Sequence, residues 1–379
     1  MIYLDNNATT RPLPEVIAAM QHALECGWGN PSSKHPKGQD AKTLLAAARA
    51  EISAFIGAQP VEVVFTSGAT ESNHHVLHGA LMRPDMPRRI ILSAVEHAGF
   101  LKSALRLRQD GVEVVLLDVD TEGRVKIESL RAALEHDAAL VSVMAANNET
   151  GVLQPVAEIC ALVHSRGIPM HVDATQIAGK LPFSFAGCGA DLLSLSAHKL
   201  HGPKGIGALL IRKGLTWPVM FSGQQERGRR GGTENLPGIA GFAAAARHAM
   251  ATLHDEAERQ TRLREAFEAR LRAIPACVIH GAGAARLPNT ISLRIDGLSA
   301  DRLLGTLERE GICASSGAAC SSGGSNPSHV LLAMGIEASQ ALGAIRISLG
   351  SDTDAEQLSR LADLLQTMSE SLRSAASVG

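Results

Sequence analysis

The chain of 379 residues is longer than one typical domain, so two domains are the default expectation. Hydrophobic residues make up 45%, enough for a sizeable core, while a formal charge of −2 and 3% aromatic residues give no basic or base-stacking surface for nucleic acid. No apolar run is long enough to span a bilayer and no secretion signal begins the chain, so we expect a cytoplasmic protein with reduced cysteines.

Along the first two thirds of the chain, short β-branched runs alternate with helical stretches. The predicted strands cover 61–65, 89–93, 112–117, 140–144 and 169–173, with a further run that begins at 192. The predicted helices cover 14–25, 42–56, 100–109, 128–134 and 156–166, with another that ends near 81. This alternation indicates an α/β domain with a mostly parallel sheet, which binds ligands beyond the carboxyl ends of its strands.

Past Gly241 the pattern changes to one long helix, followed by shorter elements. The helix extends to about Ala273, and the shorter elements are strands at 290–295 and 345–348 and helices at 300–310 and 354–372. These elements predict a smaller α+β domain. We therefore predict a large cofactor-binding domain over residues 15–255 and a small domain formed by residues 1–14 and 256–379.

Lys199 follows the apolar run 192–196 at the point where that run breaks into a Gly/Pro loop. A lysine at the end of a buried strand loses its proton readily, and the neutral amine forms Schiff bases with carbonyls. A solvated loop lysine is the alternative. Asp173 ends a second strand-like run. A carboxylate and a lysine at two strand ends suit pyridoxal phosphate, because the acid keeps the pyridine nitrogen protonated while the lysine binds the aldehyde.

Two segments around these residues resemble the cofactor segments of the NifS/IscS-type cysteine desulfurases of the class V aminotransferase group. They are His-Val-Asp-Ala-Thr-Gln (171–176) and Ser-Ala-His-Lys-Leu-His-Gly-Pro-Lys-Gly-Ile-Gly (196–207). The resemblance extends from Tyr-Leu-Asp-Asn-Asn-Ala-Thr-Thr (3–10) to Ile-Arg-Ile-Ser-Leu-Gly (345–350). It implies pyridoxal 5'-phosphate as cofactor, a homodimer, and the aspartate aminotransferase-like fold type I, whose large domain has a mostly parallel seven-stranded sheet.

The segment 66–70 lies at a strand-to-helix junction. Free backbone N–H groups and the helix dipole favour a phosphate there, although a plain helix N-cap at Thr70 is an equal alternative. The resemblance assigns the phosphate to Ala69, Thr70, Ser196 and His198. It also places Thr233 on the phosphate in the site of the other subunit.

Polar residues near other strand ends complete the expected site. His97 lies at the carboxyl end of a strand, and by the resemblance it stacks on the cofactor ring and takes part in proton transfer. Asn148 and Gln176 would hydrogen-bond the ring hydroxyl, with turn and loop chemistry as the alternative. Arg346 offers a planar fork to a substrate carboxylate, or else forms an ordinary salt bridge in its strand. The resemblance places Asn148 and Arg346 in contact with the substrate.

Cys320 lies in the run 314–327, which is rich in Gly, Ser and Ala. Because such a run has no apolar wall, the thiol does not fit the usual pattern of a buried structural cysteine. A small-residue loop can move, and a mobile thiolate can attack a substrate and pass its product on. The run resembles the catalytic loop of the group that contains NifS and IscS, with Ala318 in place of a serine. Cys313 is interpreted as a core residue.

These residues predict a cysteine desulfurase that converts L-cysteine to L-alanine and leaves a persulfide on Cys320. Lys199 would remove the α-proton, Asp173 would keep the ring protonated, and His97 would move protons. The resemblance implies a sulfur acceptor such as an iron–sulfur scaffold protein, and the loop 223–235 favours the nitrogenase-associated NifS type.

The sequence leaves other functions open. A selenocysteine lyase or a small-amino-acid transaminase would use the same scaffold, and a non-catalytic sulfur carrier would keep the fold without the cofactor. His74 and His78 share a predicted helix face, but without a third ligand we predict no metal site. The glycine-rich segment 202–207 lacks the ending of a nucleotide-binding P-loop.

Overall fold

The computed structural model of the chain describes residues 1–316 and 326–376. Its strands are β1 (Ile2–Tyr3), β2 (Val63–Thr66), β3 (Arg89–Ser93), β4 (Glu113–Leu117), β5 (Leu140–Met144), β6 (Met170–Asp173), β7 (Leu192–Ser196), β8 (Gly207–Ile211), β9 (Cys277–His280), β10 (Thr290–Ile295), β11 (Ile312–Cys313), β12 (Ser315–Ser316) and β13 (Ile345–Ser348). Its α-helices are α1 (Pro14–Cys26), α2 (Pro36–Phe55), α3 (Ala69–Leu81), α4 (Ala98–Arg106), α5 (Ile127–Ala133), α6 (Val156–His164), α7 (Phe185–Cys188), α8 (Gln225–Gly228), α9 (Leu236–Ala273), α10 (Ala300–Arg309), α11 (His329–Ala333), α12 (Ala338–Ala341) and α13 (Ala355–Ala376). Two short 3-10 helices cover Leu107–Asp110 and Ala197–Lys199.

A seven-stranded sheet in the order β2-β8-β7-β6-β5-β3-β4 forms the larger layer. Strands β4, β3, β5, β6 and β7 are mutually parallel, whereas β8 runs antiparallel to both of its neighbours. The adjacent residues Ile90 and Ile91 are both fully buried, and they pack into different hydrophobic clusters. Since successive strand residues point to opposite faces, both faces of the sheet are covered. The prediction of an α/β fold with a mostly parallel seven-stranded sheet is confirmed.

A second, antiparallel sheet in the order β12-β13-β10-β9 has its own core around Leu293 and Ile347. The N-terminus joins this layer, because β1 pairs with β11 and Asp5 bridges to Ser348. The 38-residue helix α9 passes unbroken from the first core to the second. The division of the chain into domains at residues 15 and 255 stays a prediction.

Several elements differ from the sequence predictions for local reasons. Helix α2 begins at Pro36, six residues before the predicted start, because His35 caps it and accepts from the N–H of Gly38. Strand β8 was not predicted, since Gly207 reads as the end of a glycine-rich loop. Cys313 is half-buried in the short strand β11 and does not lie in the core. No helix in the described ranges combines the length and the apolarity needed to cross a membrane.

Helix α3 packs tightly on the buried side chain of Trp217, which suggests a test of the fold. A Cβ added at Gly79 in α3 would lie 2.0 Å from Nε1 of Trp217, whereas one added at Gly305 in α10 would meet no described atom within 4 Å. We expect Gly79→Ala to lower the free energy of unfolding by about 1–3 kcal/mol, because Trp217 must move. The matched control Gly305→Ala should raise it by up to about 1 kcal/mol, since alanine favours helix. Denaturant titration measures both, and equal effects would contradict this packing.

Candidate active site

A cavity of about 610 Å³ lies at the edge of the seven-stranded sheet where its parallel strands end. Its walls follow the carboxyl ends of β2, β3, β5, β6 and β7, and the N-terminal segment and β13 close it. The predicted site residues in its lining are Ala69, Thr70, His97, Asn148, Asp173, Gln176, Ser196, His198, Lys199 and Arg346. Thr233 is exposed in the loop before α9 and does not line this cavity in the described part of the chain. Cys320 lies outside the described residues.

Asp173 ends β6 and points a buried carboxylate into the cavity. Its Oδ2 accepts a hydrogen bond from Nδ2 of Asn73 at 2.8 Å, and its Oδ1 accepts one from the backbone N–H of Thr175 at 3.0 Å. These two donors fix the orientation of the carboxyl group. Asn73 lies on α3 one turn after Ala69, and no sequence signal links it to Asp173, which is 100 positions away.

Lys199 follows β7 and reaches back to the N-terminal segment. Its Nζ donates to the main-chain carbonyls of Asn7 at 2.5 Å and Ala8 at 2.8 Å. Burial, together with the positive charge of Arg346, lowers the pKa of Lys199 to about 8. A useful fraction of this amine is therefore neutral, and thus nucleophilic and basic, near neutral pH. The segment 3–10 was predicted only to resemble the family, and its role in holding Lys199 was not predicted.

The strand-to-helix junction after β2 presents the start of α3 to the cavity. Gly68, and not Thr70, is the N-cap, so the alternative of Thr70 as the cap is wrong. The φ angle of Gly68 is 148°, which side chains rarely permit, and a Cβ there would lie 3.5 Å from Oγ of Ser196. A Cβ at Gly207 would lie 2.6 Å from Cα of Gly68, so both glycines are needed for this close approach. The helix start and Ser196 together suit an anion.

Arg346 lies on β13 and is buried in the wall of the cavity. Its Nη2 forms a 2.7 Å salt bridge with Asp5, and its Nη1 donates to the carbonyl of Asn148 at 3.0 Å. Its buried Nε has no hydrogen-bond partner among residues 1–316 and 326–376. The structure thus contains the salt bridge that was one alternative for Arg346.

His97 lines the cavity after β3, whereas its neighbour Glu96 is fully buried and is not part of the cavity lining. The ring of His97 caps α4 and accepts from the N–H of Gly99 at 3.3 Å; surrounding protein desolvates it and lowers its pKa, which favours the neutral ring. Glu96 is fully buried, with Oε1 accepting from Ser93 and from the N–H of Met144. Its Oε2 has no partner in the described ranges, and burial raises its pKa to about 8. Glu96 is therefore a neutral acid at neutral pH.

Among the residues that line the cavity, three buried polar atoms lack a partner in the described part of the chain. They are Oδ1 of Asn73, Oγ1 of Thr175 and Nε of Arg346. Buried polar groups are normally hydrogen-bonded, so these atoms indicate a polar ligand. The cavity offers a carboxylate to a protonated nitrogen, an amine to a carbonyl, a helix start to an anion and a guanidinium to a carboxylate.

The chain is similar to known proteins over nearly its full length. Residues 2–361 match the family described as Aminotransferase class-V. A cysteine desulfurase from Cereibacter sphaeroides is 44% identical over 100% of this chain and 98% of its own length. A solved NifS-like protein has a TM-score of 0.90 and 36% identity, covering 97% of this chain and 98% of its own. The structure described as SspA in complex with cysteine has a TM-score of 0.81 and 31% identity, covering 92% of this chain and 99% of its own.

The protonated state of Glu96 predicts a pH dependence of stability. Between about pH 4.5 and 8, the folded chain keeps a proton on Glu96 that the unfolded chain has lost. The free energy of unfolding therefore falls as pH rises through this window, by about 1.4 kcal/mol per pH unit from this group. We expect Glu96→Gln to remove that part of the slope in denaturant titrations at several pH values. The exposed control Glu128→Gln should keep it. Parallel curves for the parent and Glu96→Gln would exclude a neutral Glu96.

Proposed function

The chain belongs to the cysteine desulfurases of the class V aminotransferase family, and from that membership we propose that it converts L-cysteine to L-alanine and leaves a persulfide on Cys320. The family match and these relatives confirm the predicted resemblance and the predicted fold type I. The observation that carries the proposal is the convergence of Asp173, Lys199 and Arg346 on one cavity. A carboxylate, a reactive amine and a carboxylate-binding fork are the groups that chemistry on a free amino acid requires.

Pyridoxal phosphate fits the polar groups of this cavity. Asp173 would hold the proton on the pyridine nitrogen, and Lys199 would bind the aldehyde carbon covalently. The residues that would hold the phosphate and ring hydroxyl are Ala69, Thr70, Ser196, His198, Gln176 and Asn148, with Thr233 reaching the site of the other subunit in a homodimer. The unpartnered Oγ1 of Thr175 beside Asp173 supports a ligand at this position. When bound, the cofactor supplies an electron sink for the pair left when the substrate Cα–H bond breaks.

The side chains of the cavity would orient the amino acid and move its protons. Arg346 binds the α-carboxylate, for which its unpartnered Nε is available. Lys199, with a pKa of about 8, takes the proton from Cα as a general base. His97 faces the cavity as a neutral imidazole, so it is able to accept the proton of the substrate thiol.

The sulfur step requires a thiolate, which the structure does not describe but the sequence supplies at Cys320. Its sulfur forms a bond to the sulfur of cysteine, and the bond between that sulfur and Cβ breaks. Cβ takes up the proton that His97 accepted and becomes the methyl group of alanine, and Cα regains the proton held by Lys199. The two sulfurs of the persulfide each give up one electron while Cβ gains two, so no outside oxidant or reductant is needed.

Cysteine as substrate is supported by the similar SspA structure, which was solved in complex with cysteine. A persulfide is a product that another protein must remove, so we include a sulfur acceptor, such as an iron–sulfur scaffold protein, in the proposal. A homodimer in the cytoplasm is the setting that the resemblance implies.

Replacing the nucleophile tests the desulfurase proposal directly. We expect Cys320→Ser to keep the cofactor absorbance but lose alanine formation, because a serine oxygen cannot hold sulfane sulfur. The control Cys313→Ser should keep the parent rate. Alanine release from cysteine is the measurement. Alanine formation at the parent rate by Cys320→Ser would instead favour a transaminase or another lyase on this scaffold.

Arg346 provides a second test, because lysine keeps its charge but not its fork. We expect Arg346→Lys to raise the KM for cysteine by about 10- to 100-fold, because one charge-assisted hydrogen bond to the substrate carboxylate is lost. The control Arg294→Lys, on the neighbouring strand β10 beside Asp296, should leave KM unchanged. Steady-state kinetics of alanine release measures both values, and an unchanged KM for Arg346→Lys would remove Arg346 from the substrate site.

A further inference from the structure

Asn7 is buried between the two sheets and is held there from several sides. Its N–H donates to Oγ of Ser348 at 3.0 Å. Its Nδ2 donates to Oγ1 of Thr290 at 2.8 Å and to the carbonyl of Asn148 at 3.2 Å. Because these partners lie on β13, on β10 and after β5, the position of Asn7 is fixed by both layers of the fold.

The acceptors of Asn7 face two lysines. Its main-chain carbonyl accepts from Nζ of Lys199 at 2.5 Å and from Nε2 of Gln176 at 3.0 Å. Its Oδ1 accepts from Nζ of Lys180 at 3.1 Å, and Oε1 of Gln176 accepts from the same amine at 2.7 Å. Both amide oxygens are thus turned towards Lys180, and Oδ1 of Asn7 also accepts from Nδ2 of Asn289 at 3.0 Å.

Lys180 is partly buried and has no salt bridge within the described ranges. Burial and the charges of Lys199 and Arg346 lower its pKa well below the ordinary lysine value. The charged and titratable groups that face Lys199 in the described part of the chain are Asp5, His97, Asp173, Lys180, His198 and Arg346. In the described part of the chain, Lys180 and Lys199 donate only to neutral amide and main-chain carbonyl oxygens. Neither amine donates a hydrogen bond to a carboxylate there.

We propose that Asn7 and Gln176 are positioning residues that, together with Lys180, hold the Lys199 amine on main-chain carbonyls and keep its surroundings free of a further negative charge. The inference rests on the proposed function, in which Lys199 is the reactive amine, and it adds residues that shape its reactivity. An aspartate or glutamate of the same shape would favour the protonated amine, and a protonated amine neither attacks a carbonyl nor removes a proton.

The test compares isosteric carboxylates at neighbouring positions. Asn7→Asp and Asn6→Asp each lose two hydrogen bonds from Nδ2, since Nδ2 of Asn6 donates to the carbonyls of Tyr3 and Ser348. The amide of Asn6 is hydrogen-bonded to neither lysine, which makes Asn6→Asp the matched control. Gln176→Glu places a carboxylate on the other acceptor of Lys180. Each full-length protein is treated with trace acetic anhydride from about pH 6 to 11, and mass spectrometry quantifies labelling of the Lys199 peptide.

In the parent we expect the labelling of Lys199 to titrate with a midpoint of about 8. Asn7→Asp and Gln176→Glu should raise this midpoint by about one unit, which slows labelling at pH 8 by about fivefold. Asn6→Asp should leave it unchanged. A purely structural role would lower the melting temperature without moving the midpoint.

Two results would overturn the inference. The first is an unchanged midpoint in Asn7→Asp or Gln176→Glu, in a variant that circular dichroism shows to be folded. The second is a shift of the midpoint in Asn6→Asp as large as that in the other variants. A parallel arm adds pyridoxal phosphate to the parent before labelling. Protection of Lys199 supports the proposed function, and its absence argues against that function while leaving the shift in midpoint interpretable.

Discussion

Strand direction determines where the chemistry of this chain is located, because parallel strands end at the same edge of a sheet. The interior strands β3, β5, β6 and β7 are buried along their length, so their ends are the first places where polar side chains can be accommodated. Buried polar groups need partners, and here the strand ends supply them to one another. Asp173 is held by Asn73 and Thr175, and Glu96 by Ser93 and the N–H of Met144. The cavity is thus a consequence of the sheet.

Charge distribution gives this cavity its character. Lys199 and Arg346 lower the pKa of Lys180, and Arg346 lowers the pKa of Lys199, while Asp5 and Asp173 oppose that effect on Lys199. Burial acts in the same direction as the neighbouring cations, since it disfavours every charged amine. Anionic groups, such as a carboxylate or a phosphate, would therefore gain favourable interactions on entering, whereas another cation would not. The pKa of about 8 for Lys199 results from its burial together with this balance of charges.

The sequence was most informative where the signal is local. Contiguous β-branched runs predicted β3 and β5 to the residue, because a buried parallel strand is apolar on both faces. Long-range pairs have no such signal: Asn7 contacts Lys199 across 192 positions, and Asn73 contacts Asp173 across 100. Lys199 and Asp173 were identified because their chemistry is distinctive at a strand end. Asn7 and Lys180 carry no comparable mark, and only the packing of the two layers brings them to the cavity.

The N-terminal segment connects the two layers of the fold at Lys199. It belongs to the second layer through the pairing of β1 with β11, yet its carbonyls at Asn7 and Ala8 hold the amine that the first layer presents. A buried amine needs such acceptors, because leaving it without partners would cost several kcal/mol. The same acceptors must be released before Lys199 reacts with a carbonyl, since a nitrogen that forms a carbon bond keeps fewer hydrogens to donate. The position of the N-terminal segment relative to the seven-stranded sheet therefore determines how readily the amine of Lys199 becomes available.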